Sequence, residues 1–355
     1  MAKQSAKLSP IEKLKQYRKA NVPLLIFGGP GIGKSEICKA AAEGDEVKDV
    51  RLSMLEPVDL RGLPLPGNRD SATPTVAWAR PDFLPKEGKG IILFDELNTA
   101  DPAVQNAALQ FILDRRCGPH VLGKDWWIVA CGNKASHKAH VNPLSAPLRN
   151  RFVILELEAE YEHWMNWALA NSINPLVTGF MAFTKGEHLY KDPEGSEYSN
   201  FPTPRAWSRV SQLLNHNING SDDLEGCVGK AAATLLASYI KETSKLPDID
   251  DIIEGKAQFS DGSGMLSLTY GLVSGILHRT VKDAEITDKA VGALTRCSVR
   301  PEIAAIFFGG LLVQKDPTPY IREIGKSAQA KTWMTTHKQL LMPFQVDGRA
   351  TTNAK

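Results

Sequence analysis

The chain has 355 residues, of which 43% are hydrophobic and 23% charged, a balance that is typical of a globular protein with two or three domains. Its formal net charge of +2 lacks the basic excess that dedicated nucleic-acid binders carry. Dispersed cysteines without a C-x-x-C pair, and the lack of a signal core or of an apolar run long enough for a membrane, predict a cytoplasmic protein with reduced thiols.

The first half of the chain alternates between apolar strands and helices. Strands are predicted at residues 22–27, 50–54, 91–94, 126–131 and 152–156, and helices at 35–43 and 101–116. The region 56–85 is rich in proline, glycine and arginine and is predicted to form loops with a hairpin. Strands that are apolar throughout are typical of a sheet covered on both faces. The pattern therefore predicts an α/β domain in which helices sandwich a parallel sheet.

From about residue 160 the strand signals stop and helical periodicity replaces them. Helices are predicted at 161–183, 204–214, 226–243, 264–281, 287–297 and 300–313. Connectors rich in acidic, glycine or asparagine residues lie between them, for example at 215–220 and 248–251. We expect an α/β domain at 1–158, an all-helical region at 159–343 and a polar tail at 344–355.

The segment between the first strand and the next helix satisfies the pattern G-x-x-x-x-G-K-S/T. Its residues are Gly28, Gly29, Pro30, Gly31, Ile32, Gly33, Lys34 and Ser35. The glycines let backbone N–H groups converge on phosphates, and the first turn of the helix, which includes Glu36, adds its positive end. We expect Lys34 to reach the β- and γ-phosphates of ATP and the Ser35 hydroxyl to bind Mg²⁺. A glycine-rich turn without a ligand is the alternative.

Polar residues follow the next two apolar strands. Asp95 is placed to hold Mg²⁺ through water, and Glu96 to polarise the attacking water. Adjacent carboxylates at a buried strand end repel each other unless a cation lies near, and the metal ion supplies that charge. Asn133 follows the strand at 126–131, where a neutral amide orients the water against the γ-phosphate. A strand cap or a turn is the alternative for Asn133.

These motifs, in this order, resemble those of the AAA+ ATPases, and within them the MoxR-like and dynein-related branch. The resemblance covers about residues 20–240 and includes the G-P-G of the phosphate loop, which, with the lack of an N-K-x-D string, favours ATP over GTP. Residues 56–62 are similar to the P-E-D-L-x-G segment of that branch. The resemblance then places a helix-2 insertion at about 63–80, a hairpin before the sensor-1 strand at about 117–126, and a helical lid after residue 158.

The resemblance also implies roles for three arginines. The stretch 142–152 looks like the arginine-finger region, so Arg151, with Arg149 as second candidate, would point at the γ-phosphate of a neighbouring subunit. The stretch 201–206 looks like the sensor-2 motif, and Arg205 would contact the nucleotide from the lid. Ion pairs with surface acids are the alternative for Arg149 and Arg151, and an ion pair at a helix end is the alternative for Arg205.

The function implied by the resemblance is Mg²⁺-dependent ATP hydrolysis at subunit interfaces of a homo-oligomeric ring, expected to be a hexamer. Such a ring would remodel or assemble protein partners, for which von Willebrand factor A-domain proteins are candidates. A nucleic-acid motor or loader is one alternative, and a nucleotide-gated assembly protein with slow hydrolysis is another. The small net charge and the lack of a DNA-binding motif favour the protein-remodelling function, and neither nucleic acid nor membrane is an expected partner.

Overall fold

The computed structural model describes residues 8–67, 76–134, 141–191, 200–259 and 266–344. The chain divides into two units, Met1–Glu158 and Ala159–Lys355. None of the helices in the described ranges combines the length and the apolar character that crossing a membrane requires.

The first unit contains a parallel sheet and two short hairpins. Its strands are β1 (Leu24–Gly28), β2 (Glu46–Arg51), β3 (Pro64–Pro66), β4 (Val76–Trp78), β5 (Lys89–Asp95), β6 (Arg116–Cys117), β7 (His120–Val121), β8 (Asp125–Asn133) and β9 (Val153–Leu157). The sheet has the strand order β2-β5-β8-β1-β9, and all neighbouring strands run parallel. The pairs β3–β4 and β6–β7 are antiparallel hairpins.

Helices cover the sheet because its central strands are apolar on both faces. The helices of this unit are α1 (Pro10–Lys19), α2 (Lys34–Ala41), α3 (Pro57–Arg61), α4 (Pro102–Asp114) and α5 (Ala146–Arg149). On one face the rings of Phe94 in β5 and Phe111 in α4 meet edge to face, with centroids 5.2 Å apart. On the other face Cys131 of β8 lies against Cys38 of α2. The predicted class, a parallel α/β sheet sandwiched by helices, is confirmed.

The second strand lies earlier in the chain than predicted. β2 ends at Arg51 instead of spanning 50–54, because the chain turns into a 3₁₀ helix at Leu52–Met54. β2 is an edge strand of mixed polarity, so the search for an apolar run missed its first residues.

The region 56–85 contains the predicted hairpin and, in addition, a short helix. The short helix α3 ends at Gly62, whose φ is 86°, and the hairpin β3–β4 follows. A Cβ atom at Gly62 would lie 1.8 Å from the Ala79 carbonyl oxygen, so only glycine fits where the hairpin closes. The hairpin β6–β7 occupies residues 116–121, whereas Trp126 belongs to β8 and is buried.

The second unit is helical, and buried aromatic side chains such as Phe180, Trp207 and Phe307 lie in its core. Its helices are α6 (Tyr161–Ala170), α7 (Pro175–Phe183), α8 (Pro204–Asn215), α9 (Ser221–Val228), α10 (Lys230–Thr243), α11 (Ile249–Glu254), α12 (Leu266–Lys282), α13 (Thr287–Arg296), α14 (Pro301–Leu312), α15 (Thr318–Lys326) and α16 (Ala328–Thr336). Short 3₁₀ helices lie at Ala284–Ile286 and Lys338–Leu341. Apart from residue 344, the predicted polar tail lies outside the described residues.

Two of the predicted helices are each split into two. The helix predicted at 161–183 breaks because Ser172 has a left-handed backbone, with φ of 55°, and Pro175 begins a new helix capped by the Asn174 side chain. The helix predicted at 226–243 breaks at Gly229, whose φ is 76°.

The structure also adds helices that the sequence patterns did not predict. The connector predicted at 248–251 begins α11, because the Asp248 side chain accepts a hydrogen bond from the Asp250 backbone N–H and caps the helix. Two helices, α15 and α16, follow the last predicted helix.

Candidate nucleotide-binding site

The loop after β1 turns sharply and leads directly into α2. Gly31 and Gly33 have left-handed backbones with φ of 74° and 95°, which favour glycine. A Cβ atom at Gly28 would lie 2.3 Å from Ile32 Cδ1, so the loop closes on itself only with glycine at that position. No side chain caps the amino end of α2. Its first N–H groups therefore remain to bind an anion such as phosphate.

The Lys34 side chain reaches across the loop to the end of β8. Its Nζ atom donates hydrogen bonds to the carbonyl oxygens of Gly28 and Gly29, each at 3.0 Å, and to Asn133 Oδ1 at 2.9 Å. The sequence predicted separate tasks for the two residues, with Lys34 on the β- and γ-phosphates and Asn133 on the attacking water. The structure brings the two side chains together, and the Asn133 amide binds Lys34 instead of capping its strand.

A hydroxyl and a carboxylate meet on the other side of the loop. Ser35 Oγ donates to Asp95 Oδ2 at 2.7 Å, and the other carboxylate oxygen accepts from the Glu96 backbone N–H at 2.9 Å. These are oxygen ligands of the kind that Mg²⁺ prefers, and the residues predicted as its ligands fit the ion. Within the described ranges no group of three or more His, Cys, Asp or Glu side chains forms a complete metal cage. Phosphate oxygens and water would supply the remaining ligands of Mg²⁺.

Glu96 lies beside this pair but points to a different partner. Its carboxylate accepts a hydrogen bond from the Ser53 hydroxyl, and Arg51 Nε lies 3.9 Å from its Oε1 atom. The sequence did not predict Ser53 or Arg51. No motif marks them, because they meet Glu96 only through the pairing of β2 with β5 and the turn after β2.

A second residue that the sequence did not predict, Asn98, holds Asn133. The Asn98 side chain accepts from the Asn133 backbone N–H at 3.0 Å and donates to its carbonyl oxygen at 2.7 Å. Asn98 is buried and is three residues beyond Asp95. An amide so close to the acidic pair was the available signal in the sequence.

Glu36 and the three arginines are the other polar side chains that were predicted for the site. Glu36 is exposed and accepts from Lys39 Nζ at 3.2 Å. Arg149 is the last residue of α5, Arg151 precedes β9, and Arg205 lies in the first turn of α8 in the second unit. All three arginines are exposed, and none forms an ion pair with an acidic side chain of the described residues.

The thiols behind the loop are protected from reaction. A hydrogen bond with the Cys38 thiol, together with burial, raises the pKa of Cys131 well above its ordinary value. Both side chains are fully buried. Because the thiolate is the reactive form, Cys131 acts as packing and not as a nucleophile.

No protein-family model and no curated protein matches this chain. Among solved structures, NtrX from Brucella abortus is similar with 14% identity and a TM-score of 0.36, over 95% of this chain and 69% of that one. NtrX in complex with ADP gives 15% identity and a TM-score of 0.37, over 91% and 69% of the two chains. RuvB from Thermotoga maritima also gives 15% identity and a TM-score of 0.37, over 69% of this chain and 72% of that one. Similarities this low do not indicate a function, so the function must be inferred from the geometry of the site.

Proposed function

We propose that this chain is a Mg²⁺-dependent ATPase of the AAA+ type. The observation that carries the proposal is the convergence of Lys34, the Ser35–Asp95 pair and Asn133 at the carboxyl ends of β1, β5 and β8. Ligands of open parallel sheets bind at this edge. An ammonium, a hydroxyl–carboxylate pair and an amide are the groups that bind a triphosphate with its metal ion.

The side chains have separate tasks in hydrolysis. Lys34 exchanges its carbonyl partners for β- and γ-phosphate oxygens. Ser35 and Asp95 would hold Mg²⁺, which would neutralise charge on the phosphates. Glu96 takes a proton from the attacking water once its carboxylate leaves Ser53, and Asn133 orients that water. Asp95 and Asn133 end two neighbouring strands, Glu96 follows the first of them, and Lys34 and Ser35 begin the helix after β1, so the sheet keeps these groups in register.

Assembly into a homo-oligomeric ring, with a hexamer as the expected size, completes the proposal. Arg151, or Arg149 as second candidate, is proposed to reach the γ-phosphate of the neighbouring subunit, and Arg205 to contact nucleotide from the lid. The exposure of all three, without an acidic partner in the described residues, supports these roles. A MoxR-like function on protein partners, von Willebrand factor A-domain proteins among them, is supported by the positions of the hairpins β3–β4 and β6–β7.

Binding and turnover of ATP, measured separately, test the assignment. In Lys34→Ala we expect affinity for Mg²⁺–ATP to fall at least about thirtyfold, because a charge-assisted hydrogen bond contributes about 2 kcal/mol. In Glu96→Gln we expect binding to persist while kcat falls about a hundredfold or more, because the general base is lost. Isothermal titration calorimetry and phosphate release measure the two quantities.

Lys39→Ala is the matched control, since it removes an exposed lysine from the same helix. It is expected to leave affinity and turnover unchanged. Wild-type turnover in Glu96→Gln would show that Glu96 is not the base. Equal affinity of Lys34→Ala and Lys39→Ala for Mg²⁺–ATP would show that the phosphate loop does not bind the nucleotide as proposed.

A further inference from the structure

The side chain of Asn98 pairs with a backbone peptide and not with another side chain. Its Nδ2 atom donates to the Asn133 carbonyl oxygen at 2.7 Å, and its Oδ1 atom accepts from the Asn133 backbone N–H at 3.0 Å. Only 5% of Asn98 is exposed. Two complementary hydrogen bonds in a buried position fix both the place and the orientation of the Asn133 backbone.

The turn after β5 explains why a side chain takes this role. Leu97 N–H still donates to the Cys131 carbonyl oxygen at 2.9 Å, in continuation of the pairing between β5 and β8. Glu96, however, has a left-handed backbone with φ of 59°, and the main chain leaves the sheet there. The Asn98 amide then acts as a substitute peptide and extends the ladder to Asn133, the last residue of β8.

The sheet leaves room for this amide only because residue 132 is glycine. A Cβ atom at Gly132 would lie 2.8 Å from Asn98 Oδ1 and 3.1 Å from its Cγ atom. The backbone of Gly132 is not in the left-handed region, so a side chain fails to fit because Asn98 Oδ1 comes closest to it, followed by Phe27 Cε1 at 3.0 Å. The contact between the Asn98 amide and the Asn133 backbone therefore depends on the glycine at position 132.

Asn98 also holds the chain on its way to the two exposed arginines. Its carbonyl oxygen accepts from the Asn142 backbone N–H at 2.6 Å, and Asn142 Nδ2 donates to the Ala100 carbonyl oxygen at 2.9 Å. The segment from Asn142 leads into α5 and to Arg149 and Arg151. One residue thus anchors both the amide that faces Lys34 and the segment that carries the finger candidates.

We propose that Asn98 is a positioning residue for ATP hydrolysis, whose side chain sets the Asn133 side chain against Lys34 and the γ-phosphate. The inference rests on the proposed function. Asn98 does not touch the nucleotide in this role. Its loss therefore affects the geometry of the reaction and not the binding of ATP.

Asn98→Leu, which is close in size but forms no hydrogen bond, tests the role. We expect kcat for ATP to fall about tenfold or more, while KM and the affinity for Mg²⁺–ATP stay within about threefold of wild type. Asn174→Leu is the matched control, since it removes a buried asparagine amide that caps α7 in the second unit. The control is expected to lower thermal stability without this split between kcat and KM.

A double-mutant cycle with Asn133→Ala gives the decisive readout. If Asn98 acts through Asn133, Asn98→Leu lowers kcat no further in the Asn133→Ala background. Losses that multiply in the double mutant would assign Asn98 a general structural role and overturn the inference. Gly132→Ala keeps the Asn98 amide but displaces it, and we expect the same loss of kcat at constant KM. This second variant keeps the test open if Asn98→Leu fails to fold.

The two proposals fail in different ways. A wild-type protein without turnover of Mg²⁺–ATP contradicts the proposed function, and the inference about Asn98 with it. Normal wild-type turnover with unchanged kcat in both Asn98→Leu and Gly132→Ala contradicts the inference alone.

Discussion

Glu96 is held in a strained conformation by contacts on both sides of its backbone. A left-handed φ of 59° in a residue other than glycine costs of the order of 1 kcal/mol. The Glu96 carbonyl oxygen accepts from Thr99 Oγ1 at 2.9 Å and from the Ala100 backbone N–H at 3.2 Å, which stabilises the turn. In this conformation the Glu96 carboxylate accepts a hydrogen bond from the Ser53 hydroxyl.

Removal of the Ser53 hydroxyl should free the Glu96 carboxylate. We expect Ser53→Ala to raise kcat about fivefold without changing KM, because a hydrogen bond to an exposed charged acceptor contributes about 1 kcal/mol. Steady-state phosphate release measures the change. Ser244→Ala, which removes a hydroxyl bonded to the Lys241 carbonyl oxygen in the second unit, is the control. A lower kcat in Ser53→Ala would mean that Ser53 holds Glu96 in its reactive position.

The sequence predicted the residues of the site that belong to short motifs. Lys34, Ser35 and Asp95 lie at fixed distances along the chain from a loop or a strand end. Such spacings can be recognised in a sequence even when the order of the strands in the sheet is unknown. Ser53 and Asn98 were not predicted, because their contacts depend on a turn after β2 and on a left-handed residue after β5. Side-chain pairing with the backbone leaves no periodic signal.

At the scale of elements, an ion cluster holds α1 and the turn after α2 to the sheet. Asp45 lies between two cations, with Lys89 Nζ 2.8 Å from Oδ1 and Arg18 Nη2 2.5 Å from Oδ2. Arg18 also donates to the carbonyl oxygens of Ala41 and Ala42 near the end of α2. Hydrogen bonds from Lys89 and then Arg18 lower the pKa of Asp45 below its ordinary value of 3.8.

The lowered pKa of Asp45 predicts an acid-sensitive contribution to stability. Because the folded-state pKa lies below the unfolded value, the contribution is fully present above about pH 4 and is lost as pH falls through the folded-state pKa. We expect Asp45→Asn to be less stable than wild type at pH 7 and to differ less from it at about pH 3. Urea unfolding across this range measures the difference. Asp82→Asn, which replaces an exposed aspartate, is the control. If the free energy of unfolding fell equally with decreasing pH in wild type and in Asp45→Asn, the assignment would be contradicted.

Helices and strands were predicted well where a single hydrophobic pattern corresponded to a single helix or strand. The strands β5 and β8 and the helix α4 were predicted because they are apolar and capped, with Asp101 at the amino end of α4. Apolar periodicity continues past Ser172 and Gly229, so the hydrophobic pattern alone did not divide the helices, although Asn174, Pro175 and Gly229 are residues typical of helix boundaries. The backbone dihedral angles at these two residues make the division, and hydrophobic pattern does not encode them.

At the scale of the whole molecule, the proposed ring places two halves of each site on different subunits. Arg151→Ala and Lys34→Ala are each expected to lose turnover when assayed alone. The first variant lacks the arginine finger, and the second lacks the lysine of the phosphate loop. In an equal mixture about a quarter of the interfaces combine an intact loop with an intact finger, so about a quarter of wild-type activity should return. Phosphate release at several mixing ratios measures this.

The same mixture separates the finger candidates. Arg149→Ala mixed with Lys34→Ala reports on the second candidate, and Arg116→Ala is the control for loss of an exposed arginine elsewhere in the unit. A mixture without recovery, or full activity of Arg151→Ala alone, would contradict a finger from the neighbouring subunit. Specific activity that stays constant on dilution would contradict the ring itself.

The fold class followed from the alternation of strands and helices, whereas the order of the strands did not. Strand order depends on long-range pairing, as in the contact of β1 with both β8 and β9, and one sequence contains no direct record of that pairing. The proposed ring and its partners are harder still to predict from the sequence, because the contacts between subunits are not visible in a single chain. The arginines 149 and 151 were proposed through resemblance, and their exposure agrees with that role.

The hydrogen bonds of Lys34 bear on how the proposed nucleotide site would exchange product for substrate. The ammonium donates to the Gly28 and Gly29 carbonyls and to Asn133, so the protein itself supplies acceptors for this cation. Under the proposed function, a departing ADP is replaced by acceptors that the protein already holds in place. Product release then requires little solvent reorganisation around Lys34, and the loop keeps its shape for the next ATP. The lysine that is proposed to bind the phosphates is thus also expected to lower the barrier to their exchange.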